Sequence, residues 1–220
     1  MYYNITMYQI PRKRLILFKL ITLVIIPFAV FWTLVAGFNI FYTRAYVNGL
    51  SMHPTLNNQL STTNKRDVIY IDNFADVSKN DIIVMDLRAH PDFKNYTIKR
   101  LIATAGDVVT IDIQNDCYEL RVNNQLIYTK DLNNGLNTYT SFNQYIQEHI
   151  YQSSRILRLD NGVYGVKVNE GEIFVLGDNW NVSKDSSLVG PINEKSVIGK
   201  VRFIINPNEN EFISILKSIF

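Results

Sequence analysis

Residues 96–113 read YTIKRLIATAGDVVTIDI, two runs rich in Ile, Val and Thr on either side of the turn signal Gly106-Asp107. Short β-branched runs bounded by Gly, Asn and Asp are the signature of strands joined by tight turns. The same texture recurs at residues 68–71, 82–85, 172–176 and 197–204, with Asn80-Asp81, Asn123-Asn124 and Gly177-Asp178 as further turn signals. The sequence therefore predicts a mainly β fold, an antiparallel β-rich core with tight loops. Residues 131–170 differ. They are rich in Asn, Tyr, Gln and Ser, contain Asn134-Gly135 and Asn161-Gly162, and show weak helical periodicity at best over 140–159. They are expected to form an insertion or subdomain on the β core.

Toward the N-terminus the texture changes again. Residues 20–38, LITLVIIPFAVFWTLVAGF, are nineteen without a charge; as a helix they would span roughly 28 Å, enough to cross a bilayer core. Pro27 would cost a soluble helix about 3 kcal/mol, but membrane helices tolerate it. Arg12, Lys13, Arg14 and Lys19 precede the run and only Arg44 follows closely. The positive-inside rule then places a basic arm, residues 1–19, in the cytoplasm, an anchor over 20–42, and an extracytoplasmic domain over 43–220. A cleaved signal peptide is the rival reading, but its apolar core would normally run about 7 to 15 residues, shorter than this one. The C-terminal segment, residues 212–220, is too short to cross and carries Lys217.

Composition removes several function classes. The chain has 22 basic and 20 acidic side chains; setting aside the four of the arm leaves 18 against 20, so the exported part is slightly acidic and carries no basic stripe suited to nucleic acid. Cys117 is the only cysteine, which rules out an intrachain disulfide and a cysteine-based zinc site. His53, His90 and His149 are scattered, without a metal-binding spacing. No metal or cofactor is expected.

About a dozen residues beyond the anchor stands Gly49-Leu50-Ser51-Met52-His53-Pro54-Thr55-Leu56. A serine between a glycine and a proline sits on an irregular turn, where its hydroxyl is accessible and its backbone N–H is left to stabilise an oxyanion, while Gly49 admits a close substrate backbone. Serine requires a base, and without a well-placed histidine the available alternative is lysine. In the run around Lys99, strand alternation puts Lys99 and Arg100 on opposite faces. A lysine among apolar neighbours loses its proton more readily and becomes a base. Arg100 stays charged and serves as a structural or surface charge.

Four blocks occur in order: Ser51-Met52-His53-Pro54-Thr55-Leu56; Asp81-Ile82-Ile83-Val84; Lys99-Arg100 followed by Gly106-Asp107; and Gly177-Asp178-Asn179 followed by Ser183-Lys184-Asp185-Ser186. This order resembles the bacterial type I signal peptidases, in the Gram-positive-like form with one N-terminal anchor. The resemblance implies a membrane-bound serine endopeptidase with Ser51 as nucleophile and Lys99 as general base. Ser183 would orient the lysine amine, and Gly49, Asp178, Asn179 and Asp185 would support the oxyanion site or the fold around it. Its partners would be the lipid bilayer and signal-peptide-bearing pre-proteins with small residues at the first and third positions before the cleaved bond. Two arginines common in the family are replaced by Trp180 and Ser187, leaving Asp185 to find Arg100, Lys184, backbone donors or water. Those departures keep a second reading open, an assembly factor for pili or the secretion machinery that binds subunits without cutting them. A self-cleaving Ser/Lys repressor-type peptidase is a third, but it would carry a DNA-binding helical domain where this chain has its apolar helix.

Overall fold

The computed structural model describes residues 12–58 and 65–207. Residues 1–11 of the expected basic arm and the C-terminal segment 212–220 lie outside the described residues. The chain divides into two compact units, Met1–Tyr42 and Thr43–Phe220.

In the first unit, helix α1 (Arg12–Phe41) runs through Pro27. Its stretch Phe18–Phe41 is long and apolar enough to cross a membrane, and none of the most apolar part of it is buried in the protein. In lipid, which offers no hydrogen bonds, polar side chains on such a helix would have to be satisfied within it. The Thr22 and Thr33 hydroxyls each donate to a carbonyl one turn back, at Phe18 and Ala29, both at 2.8 Å. Asn39 does the same to Val35 at 2.9 Å.

The second unit is built on two sheets. The strands are β1 (Tyr42–Tyr46), β2 (Val68–Asp72), β3 (Ile82–Asp86), β4 (Tyr96–Thr104), β5 (Val108–Gln114), β6 (Cys117–Val122), β7 (Gln125–Asp131), β8 (Ile156–Arg158), β9 (Tyr164–Lys167), β10 (Glu172–Leu176), β11 (Ile192–Asn193) and β12 (Val197–Ile205). One sheet has the order β1-β2-β12-β3-β4-β10-β11, the other β7-β6-β5-β9-β8. Pairings among β2–β12 are antiparallel, as the sequence predicts. The Asn123-Asn124 signal becomes the turn between β6 and β7, with both residues at positive φ, which the short amide side chain tolerates.

The residues for which alternation matters most are on β3 and β4. Ile83 and Met85 point into one apolar cluster with Leu101 and Val175, while Val84 points the other way, into a cluster with Val47, Met52, Leu56, Ile69 and Ile71. On β4 the register against β10 shifts between Phe174 and Val175, which face Ala103 and Leu101 and leave Ile102 as the extra residue. A bulge of this kind re-aims side chains. It lets the neighbours Ile102 and Ala103 join one cluster, with Val109, Leu120, Phe142, Phe174, Leu176 and Trp180.

The expectation of little helix over residues 140–159 is overturned. Helix α2 (Leu136–His149) follows a short 3-10 turn (Leu132–Asn134) and buries Thr138, Phe142, Tyr145 and Ile146. Those four positions form one helical face. The window that hid it combined a helix with only three large apolar residues on that face, a turn, and strand β8. Within residues 131–170, β9 pairs with β5, so that the second sheet draws on residues 108–167. A last short helix, α3 (Ser186–Val189), precedes β11.

Candidate active site

Ser51 lies on the turn that follows β1. Gly49, at φ 85°, adopts the left-handed conformation that turns the chain into it. Met52 and Leu56, both buried, pin the turn to the core just beyond Ser51, which is itself half-buried. Two residues that sequence reasoning missed close the loop at its base. The Asn57 side-chain amide donates to the carbonyls of Val47 (3.1 Å) and Gly49 (2.9 Å). Its N–H donates to the Asp67 carboxylate at 2.6 Å, and its side-chain oxygen accepts from Asp67 N–H at 2.9 Å. Among the described residues the backbone N–H of Ser51 has no hydrogen-bond partner.

Lys99 sits mid-strand on β4, 3% exposed. Its Nζ lies 2.8 Å from Ser51 Oγ and donates to its neighbour Ile98's carbonyl at 3.0 Å. Burial lowers its pKa below the ordinary lysine value, opposed by the negative charges of Asp185 and Asp178. A buried amine within reach of a hydroxyl, with reduced preference for the charged form, is the physical requirement for a lysine base.

Arg100 takes the opposite face, as alternation predicts, and its role is structural. Its Nε and Nη2 grip Asp178 at 2.8 and 2.6 Å, while Nη1 holds the Asn80 carbonyl at 2.8 Å. Thr55, from the nucleophile block, donates its hydroxyl to the same carboxylate. Asp178 thereby ties the turn after β10 to both β4 and the Ser51 turn. Asn179 adds to this tie: its N–H donates to the Ser51 carbonyl at 3.0 Å and its side-chain amide to the Leu50 carbonyl at 3.2 Å.

Asp185 is fully buried and finds none of the cations that the sequence offered it. It accepts from Gly177 N–H at 2.9 Å, from Ser187 N–H at 3.0 Å and from the Ser187 hydroxyl at 2.8 Å. Ser187, standing where the family pattern has arginine, thus answers the carboxylate with a neutral donor. Trp180, the other departure, is buried among Phe142, Phe174 and Leu176; an apolar ring suits that place, and a guanidinium would need partners there. Ser183 is not hydrogen-bonded to Lys99. Its buried hydroxyl has no hydrogen-bond partner among the described residues and lies against Gly177 beside the Ser51 carbonyl.

A groove of about 600 Å³ opens on Ser51 and Lys99, with Val47, Ile69, Ile71, Val84 and Phe93 on its walls and Lys184 at its margin. Among the described residues no cluster of His, Cys, Asp or Glu is placed to hold a metal.

With that geometry in place, comparison with known proteins is decisive. The family model described as signal peptidase, peptidase S26, matches residues 16–206. The chain belongs to this family. Among its relatives, signal peptidase I of Bacillus licheniformis is 30% identical over 164 residues, covering 73% of this chain and 75% of that protein. Signal peptidase I S of Bacillus subtilis (strain 168) is 28% identical over 170 residues, covering 77% and 79%. A signal peptidase I from Enterococcus faecalis V583, solved by crystallography, aligns with a TM-score of 0.36 and 22% identity over 58% of this chain and 97% of that one. Family membership makes this protein a serine protease of the signal peptidase type, and its apolar helix α1 is consistent with a single-pass membrane protein.

Proposed function

We propose that the protein removes signal peptides from exported precursors, with Ser51 as nucleophile and Lys99 as general base. The observation that carries this reading is the 2.8 Å approach of a buried lysine amine to the Ser51 hydroxyl. In the neutral state Lys99 accepts the Ser51 proton as Oγ attacks the carbonyl carbon of the scissile peptide. The free N–H of Ser51 meets the oxygen that becomes negative, and the Asn179 contacts to Leu50 and Ser51 hold that N–H in place. The tetrahedral adduct collapses when the Lys99 ammonium gives its proton to the departing amine, which becomes the new N-terminus of the mature protein. Lys99, neutral again, then takes a proton from water, whose oxygen attacks the Ser51 ester; as that adduct collapses Lys99 returns the proton to Ser51 Oγ, and the signal peptide leaves with a free carboxyl terminus. Ser183 offers an unengaged hydroxyl oxygen beside this path, suited to hold Nζ as it turns. Gly49 lets substrate backbone approach, while Asp178 and Asp185 keep the surrounding turns in position.

The groove between residues 45–49 and 95–98 suits an extended chain with small residues at its first and third positions before the cut. The four basic residues before α1 favour a cytoplasmic arm over 1–19, an anchor over 20–42 and an extracytoplasmic peptidase domain over 43–220, with residues 131–170 as its inserted subdomain. Anchoring confines enzyme and membrane-bound precursor to one surface and raises their effective concentration. A non-cleaving assembly role, for pili or secretion machinery, is not favoured by family membership. Incubating the detergent-solubilised full chain with a signal-peptide-bearing precursor and sequencing the product tests the reading. A new N-terminus just after a small residue is expected; an intact precursor that nonetheless co-purifies with the protein would contradict it.

A further inference from the structure

The loop 178–181 hangs between two neighbours. On one side Asn179 holds the carbonyls of Leu50 and Ser51. On the other, its own carbonyls are taken up by one corner of the second sheet, the end of β7 and the start of α2. Lys130 Nζ donates to the Asp178 carbonyl at 3.1 Å. Thr138 donates twice to the Trp180 carbonyl, through its N–H at 3.1 Å and its hydroxyl at 3.0 Å. The Asn137 amide donates to the Asn181 carbonyl, and the Asn181 amide returns a bond to the Asn133 carbonyl at 3.1 Å. Thr138 and Trp180 are both buried, so these bonds have little water competing for them.

We propose that the corner from Lys130 to Thr138 is a positioning clamp for the nucleophile, which rests on the assignment of Ser51 given above. The physical basis is the orientation of peptide planes. Loop 178–181 has no strand pairing to fix its peptides, and each peptide rotates about its flanking bonds unless its carbonyl or N–H is held. Fixing the Asp178 carbonyl fixes the peptide plane whose N–H belongs to Asn179, because the two groups share that plane. That N–H is the donor to the Ser51 carbonyl. The two hydrogen bonds from Thr138 to the Trp180 carbonyl, with the ring buried against Phe142 and Phe174, hold the next stretch, from which Ser183 N–H bonds back to the Asn179 carbonyl at 3.1 Å. Lys130, Asn137 and Thr138 therefore act on the reaction through Asn179 and touch neither substrate nor the reacting atoms.

The test uses the detergent-solubilised full chain and a signal-peptide-bearing precursor, with kcat, KM and the melting temperature measured for each variant. Thr138→Val combined with Asn137→Ala removes two donors while keeping the buried volume of residue 138. It should lower kcat roughly tenfold, with KM changed less than about twofold, because a displaced nucleophile impairs the chemical step and leaves the groove intact. Thr138→Ser, which keeps the hydroxyl, should stay near wild type. Lys130→Met, which leaves the helix alone, should lower kcat in the same direction if the double variant fails to fold. Ile146→Val loosens the same helix about two turns beyond Thr138; it should lower the melting temperature and spare kcat. The clamp is overturned if the double variant and Lys130→Met keep wild-type kcat, or if Ile146→Val loses kcat in step with stability. A wild-type chain that cuts no precursor would overturn the underlying assignment and the clamp with it, a result distinct from active enzyme with indifferent variants.

Discussion

Replacing Gly177 with alanine would set a methyl carbon 2.5 Å from the Ser51 carbonyl oxygen and closer still to the Ser183 hydroxyl, where ordinary contact begins near 3.4 Å. Both contacts must open by about 1 Å. The Ser183 side chain can rotate, but the Ser51 carbonyl is backbone and is held by Asn179. The nucleophile itself must therefore shift, and a displacement of that size at a reacting centre costs on the order of 100-fold in rate. Overpacking should also cost about 1–3 kcal/mol of stability, equivalent to a fall of roughly 2–12 °C in melting temperature for a domain this size. The assay is kcat for precursor cleavage alongside a thermal melt followed by circular dichroism. Gly177→Ala with unchanged kcat would refute the claim that the close approach of the β10 turn fixes the position of Ser51.

Three further predictions concern the charges around this turn. Because only the neutral amine of Lys99 accepts a proton, kcat/KM should rise with pH through a value that burial holds below the ordinary lysine pKa. Asp185→Asn, which removes a negative charge supporting the ammonium form, should move that limb to lower pH, and a limb that stays or moves upward would contradict the assignment. Arg100→Ala leaves the Asp178 carboxylate, only 15% exposed, without its guanidinium; a loss of about 3 kcal/mol is expected, read as a lower midpoint in urea. Ser187→Ala removes one of three donors to buried Asp185. Its expected cost of about 1.5–3 kcal/mol corresponds to roughly 3–12 °C in a thermal melt.

What the sequence disclosed follows from how its signals arise. The strands at 68–71, 82–85, 96–103, 108–113, 172–176 and 197–204 reappear in the structure to within about a residue, because their β-branched residues face buried clusters and alternate accordingly. Strand β7 escaped notice for the opposite reason. β7 is exposed over most of its length and carries Lys130 and Asp131, so its composition resembles a loop. Helix α2 presents a face of Phe142, Tyr145 and Ile146 diluted by Asn, Gln and Thr. At the site, the Ser51 turn was legible because turn chemistry is local, whereas Lys99 was picked out by the lack of another base and by the order of blocks that resembles the family. The partners of Asp185 were legible in part: backbone donors stood among those expected, but the Ser187 hydroxyl did not, because Ser187 reads there as a lost arginine. Asn57 with Asp67 closes a loop of 10 residues, and Lys130 to Thr138 with Asp178 to Asn181 join stretches 42 to 48 places apart. No spacing rule connects such residues.

The central claim is that Ser51 and Lys99 perform the cleavage together. It is tested most directly by comparing wild type, Ser51→Ala and Lys99→Ala, each purified as the full chain, in a single precursor-cleavage assay with melting curves recorded on the same samples. The account predicts that both variants fold and that each releases no mature product above background, the double variant being no worse than either alone because the two groups act as a unit. Turnover near the wild-type rate in either folded variant would contradict it.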